Sequence, residues 1–328
     1  MTTHTALQPA EPLAAARFIK EIGRGKDGAR SMTRDDARLL YSAMLDGRVS
    51  DLEMGGILLA MRIKGESINE LAGFLDAAEE AFERIDAPRG EYAPIVLPSY
   101  NGSRHMPNLT PLLALLLARA GAPVLMHGVL TDPNRVTSAE VFNALHIPVS
   151  SSIADAQACF ARREPAFMPI DALAPKLHRL LQMRRILGVR NSTHTLVKIM
   201  QPFSGPALRL TSYTHPEYLE MLTSYFTTLA PADLGDVFLM RGTEGETVAN
   251  ARRSQQIDWF HTGQRTVIAE KQDIAHAVPV LPSERDARTT AAWIRDALNG
   301  RQPVPPAIAD QVEHCLRVSR QIAAAMPA

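Results

Sequence analysis

A chain of 328 residues is long enough for one large or two modest domains, each with its own apolar core. Thirty-five basic and 35 acidic side chains cancel, which excludes a strongly basic protein of the histone type; Cys159 and Cys315 stand far apart without His or Cys at ligand spacing, so neither a zinc site nor a disulfide framework is suggested. The longest apolar stretches, Thr110 to Leu117 and Pro123 to Met126, fall short of the roughly 20 residues that cross a bilayer, and Met1 to Pro12 lacks a basic region followed by an apolar core, so a cytoplasmic protein without membrane contact is expected.

From 13 to 85 apolar residues recur at helical spacing: Leu39, Leu40, Ala43 and Met44, then Ile57, Leu58 and Met61, then Leu71, Phe74, Leu75 and Ala78. Helices are predicted over 34–46, 51–63 and 67–83, the first capped by Thr33 and ended by Gly47, the second capped by Ser50. After Pro88 short apolar runs alternate with helical segments: strand Ile95 to Leu97, helix 109–120, strand Val124 to His127, helix 138–145. A basic helix over 173–187 follows, then strands Ala207 to Tyr213, Val237 to Arg241 and Thr266 to Glu270, with a helix at 216–229. Helices Asp286 to Leu298 and Ile308 to Ala325 close the chain around Pro303, Pro305 and Pro306. Alternation of this kind argues a parallel sheet flanked by helices. The expected fold class is therefore α/β: a small N-terminal helical bundle over 1–88, joined by helices from 150–190, and a larger α/β domain over 89–328 with a mostly parallel central sheet.

The stretches Tyr41 to Asp51 and Leu59 to Gly73 resemble the N-terminal helical domain of the anthranilate phosphoribosyltransferase family. Asn108-Leu-Thr-Pro111, Val124 to Gly128, Ser138 to Ile147, Leu187 to Arg190 and Thr211 to Leu219 extend the resemblance over most of the chain. It implies a nucleoside phosphorylase/phosphoribosyltransferase-like fold. The catalytic motifs depart from the family's pattern. Its Gly-Thr-Gly-Gly-Asp turn, whose bare glycines let backbone N–H groups close on a pyrophosphate, reads here Pro98-Ser-Tyr-Asn-Gly-Ser-Arg104, with Gly102 retained and Tyr100 and Arg104 expected to fill substrate space. The family's Lys-His-Gly-Asn loop is Met126-His127-Gly128-Val129, and its adjacent magnesium-binding Asp and Glu become Glu244 and Glu246, alternating beside Arg241 and only weak metal candidates. Arg190 falls where the family's anthranilate-positioning Arg would, but Asn191 to Lys198 does not match the segment that follows it. Three altered loops that must cooperate on one charged transition state argue against the reaction, so no catalytic residue and no cofactor are assigned.

Gly23-Arg-Gly-Lys26, Arg104 to Pro111 and Arg241 to Glu246 resemble the YbiB-like branch of the family, which implies a dimeric nucleic-acid-binding protein without phosphoribosyltransferase activity. Charge pattern supplies the candidate contacts: Arg24, Lys26 and Arg30 in one basic stretch, and Arg162, Arg163, Lys176, Arg179, Arg184, Arg185, Arg190 and Lys198 in another. A basic helix face is most often plain solvated surface, and it is the resemblance that turns the balance toward a phosphate backbone, DNA first, held without base-specific contacts. Arg24, Lys26 and Arg30 are equally well read as a surface turn. Gly102, Arg104, Asn108, Thr110, His127 and Gly128 would form a vestigial phosphate site, with helix capping by Asn108 or Thr110 as the simpler role. Pairing of family members through their N-terminal helices points to a homodimer, with Met44, Met54, Ile57, Leu58 and Met61 as its surface. The alternative is an active phosphoribosyltransferase acting on anthranilate or another aromatic amine or base, with phosphoribosyl pyrophosphate and Mg²⁺.

Overall fold

The computed structural model describes residues 11–25, 27–272 and 280–326. Helices α1 (Ala16–Ile22), α2 (Arg34–Leu45), α3 (Asp51–Lys64) and α4 (Ile68–Glu79) open the chain. They are followed by β1 (Ile95–Ser99), α5 (Thr110–Arg119), β2 (Val124–Gly128), α6 (Ser138–Ala144), α7 (Ile153–Ala161), β3 (Ala166–Pro169) and α8 (Ile170–Leu173). Next come α9 (Pro175–Leu187), α10 (Thr193–Leu196), β4 (Leu208–Ser212), α11 (Pro216–Thr228), β5 (Val237–Met240), β6 (Ile257–His261), β7 (Gln264–Ala269), α12 (Ala287–Leu298) and α13 (Pro306–Ala325). Two compact units result: Met1–Phe82 with Lys176–Leu196, and Glu83–Pro175 with Val197–Ala328.

In the first unit the helix starts are where local chemistry puts them. Thr33 accepts the Asp36 N–H, while Ser50 with Glu53 and Ser67 with Glu70 form reciprocal capping boxes. Glu70 does more than cap: fully buried, it also accepts the backbone N–H of Met32 at 2.9 Å and a 2.7 Å bond from Lys64 Nζ. Tyr41 stacks on Phe74 with ring centroids 4.9 Å apart, and its hydroxyl lies 2.8 Å from Thr193 Oγ1, tying α10 to the bundle. Two expectations are corrected. Helix α4 ends at Glu79, four residues before the expected boundary, because the chain leaves the helix and Ile85 bridges to Phe203. Met44, Met54, Ile57, Leu58 and Met61, expected on a dimer surface, are all buried in the single chain, since together they complete the core of this unit. The apolar side chains that α3 leaves in solvent are Leu52, Leu59 and Ile63, 89%, 48% and 70% exposed.

The second unit is a seven-stranded sheet in the order β3-β2-β1-β4-β5-β6-β7. Strands β1 to β5 run parallel, with Ile95 beside Val124 on one side and beside Leu208 on the other, and are buried along their length. The far edge is antiparallel: Val237 pairs with Phe260, and Thr262 and Gly263, both at positive φ, turn β6 into β7. This is the architecture expected from the sequence, a helical bundle and a larger α/β domain with a mostly parallel sheet. Helix α7 and strands β3 and β6 lie outside the elements read from the pattern. Strand β3 is four residues bounded by prolines, and β6 hides an acid, Asp258, behind Arg265 and Gln256. Neither shows the alternation that marks a half-buried strand.

Candidate anion site and basic surfaces

In a parallel sheet, ligands collect beyond the carboxyl ends of the strands, where the strand order reverses. Here the reversal falls between β1 and β4, and the loops after β1, β2, β4 and β5 converge there. The loop after β1 is pinned from below. Ser99 Oγ donates to Ser138 Oγ at 2.8 Å, Ser103 and Val136 exchange backbone hydrogen bonds at 2.9 Å, and Asn108 Nδ2 donates to the Val136 carbonyl at 3.1 Å. Asn108 Oδ1 accepts the Thr110 N–H at 3.2 Å at the start of α5, so it braces this helix entry. Gly128 permits a close approach of the two loops: a Cβ there would lie 1.8 Å from the Ser99 carbonyl oxygen.

What fills the top of the loop is a carboxylate from the same chain. Glu246 Oε1 accepts the N–H groups of Asn101 and Gly102 at 2.8 and 2.7 Å, and Oε2 accepts from Thr110 Oγ1 at 3.4 Å. The carboxylate therefore meets two successive amides and the first residue of α5, a set of positive dipoles suited to an anion. Glu244 repeats the arrangement one step outward, accepting the N–H groups of Arg104 and His105, the latter at 2.7 Å. Both acids are delivered by the turn Thr243 to Glu246, in which Glu244 and Gly245 hold φ values of 55° and 90°. Ser212 Oγ, at the end of β4, donates to the Gly245 carbonyl at 2.7 Å, and Lys198 Nζ lies 3.4 Å from the same oxygen.

The weak metal candidates are thus used otherwise. Glu244 and Glu246 each accept a pair of backbone N–H groups, which is not the open oxygen set that a hard cation such as Mg²⁺ requires. Among the described residues no group of three or more His, Cys, Asp or Glu is placed to hold a metal. Magnesium does not fit this site. Arg104, expected to fill substrate space, has an exposed side chain; its backbone N–H is what meets Glu244. Tyr100 does fold inward, its hydroxyl 2.7 Å from His127 Nδ1. Burial holds the Tyr100 hydroxyl well above its ordinary pKa and pushes the His127 imidazole down to about 3, so His127 is neutral at physiological pH.

The expected nucleic-acid contacts divide among several environments. Arg24 donates to Glu21 at 2.6 Å, Arg162 pairs with Glu164 at 2.9 Å, and Lys176 pairs with Asp46 at 2.7 Å, so each has an acidic partner on the surface. Arg179 reaches the carbonyls of Met44 and Leu45 at 2.6 and 2.9 Å and closes the C-terminus of α2, a structural role. Arg30, Arg163, Arg184 and Arg185 are exposed and have no acid partner among the described residues. Arg190 and Lys198 are half-buried, and Lys26 lies outside the described residues. Elsewhere in the first unit Arg17 pairs with Asp36, Arg34 with Asp76, and Arg38 with Glu80.

Among the described residues no helix is long and apolar enough to cross a membrane. Residues 16–81 match the helical bundle domain of the glycosyl transferase family. The chain is 46% identical over 301 residues to the YbiB protein of Escherichia coli (strain K12), with 92% of each covered. It is 26% identical over 294 residues to the anthranilate phosphoribosyltransferase of Methanopyrus kandleri, covering 87% of this chain and 84% of that one. Among solved structures, the anthranilate phosphoribosyltransferase of Thermus thermophilus superposes with a TM-score of 0.68 at 20% identity, over 94% of this chain and 90% of that one. The Saccharomyces cerevisiae enzyme in complex with phosphoribosyl pyrophosphate and magnesium gives 0.68 at 11% identity, over 95% and 89%. The chain belongs to the family of YbiB, built on the anthranilate phosphoribosyltransferase-like scaffold.

Proposed function

We propose that this protein is a non-catalytic, sequence-tolerant nucleic-acid-binding protein, DNA being the first ligand to test, that acts as a homodimer. The observation that carries the non-catalytic half is the buried Glu246 carboxylate on the amides of Asn101 and Gly102. A phosphoryl group on the same amides would meet a carboxylate already in place, and like charges at such distances repel strongly in a dry site. The binding half is supported by Arg184 and Arg185, which end α9 exposed while Leu177, Leu180 and Leu181 anchor its other face. Side chains of this kind hold phosphates by releasing counterions and read no bases. Pairing is proposed through the exposed face of α3, where Leu52, Leu59 and Ile63 lie at helical spacing.

Fluorescence anisotropy with labelled single- and double-stranded DNA tests the binding. Dissociation constants weaker than roughly 10⁻⁴ M at physiological salt reject it. The second reading, phosphoribosyl transfer, is favoured by the similarity to anthranilate phosphoribosyltransferases. Calorimetry with phosphoribosyl pyrophosphate separates the two: saturable, magnesium-dependent binding supports transfer and overturns the non-catalytic reading.

A further inference from the structure

Many surface arginines of this protein are neutralised locally: Arg38, Arg301 and Arg320 are each paired with a carboxylate of their own neighbourhood at 2.6 to 2.7 Å. Besides Arg30, Arg163, Arg184 and Arg185, a further set without acid partners among the described residues is carried by the loops of the plugged anion site. Arg104 lies on the loop after β1, and Arg241 leads into the turn that carries Glu244 and Glu246. Arg285 Nη1 reaches the Arg104 carbonyl at 3.4 Å, and Arg135 Nη1 reaches the Gly102 carbonyl at 3.3 Å. None of these four has a salt-bridge partner among the described residues, and all but Arg135 are exposed.

Acids are present beside them, but most are turned away. Glu244 and Glu246 accept loop amides, Asp132 accepts the Asn134 N–H at 2.9 Å, and Asp286 accepts the N–H groups of Arg288 and Thr289 at 2.9 and 3.0 Å. Glu284, next to Arg285, is exposed and offsets part of the charge. Arg135 and Arg285 thus lie against the loop after β1, and Arg104 and Arg241 are carried by the same two loops, around a site whose own carboxylates are satisfied by backbone dipoles. Their positive field is left to solvent or to a ligand. A small phosphate cannot enter past Glu246, whereas a chain of phosphates lies across these guanidinium groups without entering.

We infer that the Arg104, Arg135, Arg241 and Arg285 rim of the α/β unit is a phosphate-backbone contact surface for single-stranded nucleic acid, additional to the end of α9. The inference rests on the nucleic-acid-binding reading above. Guanidinium groups match phosphate oxygens in pairs, and four such groups around one site accommodate successive phosphates of a flexible strand.

The test is anisotropy with full-length protein and a fluorescein-labelled single-stranded DNA of about 20 nucleotides, a length within the range of ordinary single-strand sites. It is run at several salt concentrations on Arg104→Ala/Arg241→Ala/Arg285→Ala. We expect affinity to fall at least about tenfold, and the slope of log K against log salt to flatten by about one unit for each phosphate that the protein no longer neutralises. The double variant Arg104→Ala/Arg241→Ala spares the Arg285 hydrogen bond to the loop and guards against misfolding; it is expected to give an intermediate loss. If wild type binds and both variants stay within twofold while Arg184→Ala/Arg185→Ala loses affinity, the rim is overturned and the reading of α9 stands. If wild type itself does not bind, the reading fails and the rim with it.

Discussion

Glu246 and Gly102 are 144 residues apart in sequence, yet the Glu246 carboxylate accepts the Gly102 backbone N–H at 2.7 Å, with Gly102 held at a φ of 63°. A residue with a Cβ is disfavoured at that angle, and a Cβ there would also lie 2.7 Å from the Val136 carbonyl oxygen. The loop is therefore shaped to present two amides, and its own chain supplies the anion. Replacing Glu246 with Ala leaves both amides without an acceptor and is expected to cost about 2–6 kcal/mol, at roughly 1–3 kcal/mol for each buried unsatisfied group. Glu246→Gln keeps a carbonyl oxygen for the amides and is expected to cost less than half as much. Urea midpoints of the two variants check the order; equal midpoints would show that the carboxylate does not hold the loop.

A second expectation concerns acid. His127 is buried and neutral with its pKa pushed down to about 3, while an unfolded histidine titrates near 6.5. Its stability contribution is fully present above pH 6.5 and is lost as pH falls toward 3, because only the unfolded chain takes up the proton in that window. At pH 5 the loss reaches up to about 2 kcal/mol for this group. Comparing the pH dependence of unfolding in wild type and His127→Asn isolates it: the variant should lose less stability between pH 7 and pH 5.

The two ends of α9 are expected to separate binding from stability. Arg184→Ala/Arg185→Ala should weaken DNA binding for all sequences alike and flatten the salt slope by about one unit per phosphate released, with the thermal midpoint unchanged. Arg179→Ala should lower the midpoint, since the guanidinium closes the carbonyls of Met44 and Leu45, at a cost of about 1 kcal/mol. The charge-matched control is Arg38→Ala/Arg301→Ala, which removes two arginines already paired with Glu80 and Asp296. Loss of affinity there equal to that of the α9 pair would reduce the effect to net charge.

Pairing through α3 makes a further prediction. Leu52→Glu/Ile63→Glu places like charges on the exposed face and should convert a dimer to a monomer of 35.9 kDa in sedimentation at micromolar concentration. The same substitutions at Ile57 or Met61 would instead unfold the unit, because those side chains are buried. A dimer that survives the α3 pair would move the interface elsewhere.

The sequence by itself determined the bundle, the alternation of strands and helices, and the absence of the family's glycine-rich turn. These are local matters: Ser50 with Glu53 caps a helix across three residues, and an unbroken run such as Val124 to Gly128 marks a buried parallel strand. Strand β3 and helix α7 were not legible, since a four-residue strand between prolines and an alanine-rich helix have little periodicity to read. Which side of α3 is covered was likewise decided by packing: Met54, Ile57, Leu58 and Met61 went inward and Leu52, Leu59 and Ile63 outward, though all are apolar. Tertiary structure alone decided the fate of Glu244 and Glu246. In sequence they resemble a displaced metal pair beside an arginine, and no neighbouring residue names their partners. Those partners are backbone amides 139 to 145 residues upstream, and a backbone amide carries no sequence signal, so only the sheet that brings the two loops together turns a pair of acids into the plug of an anion site.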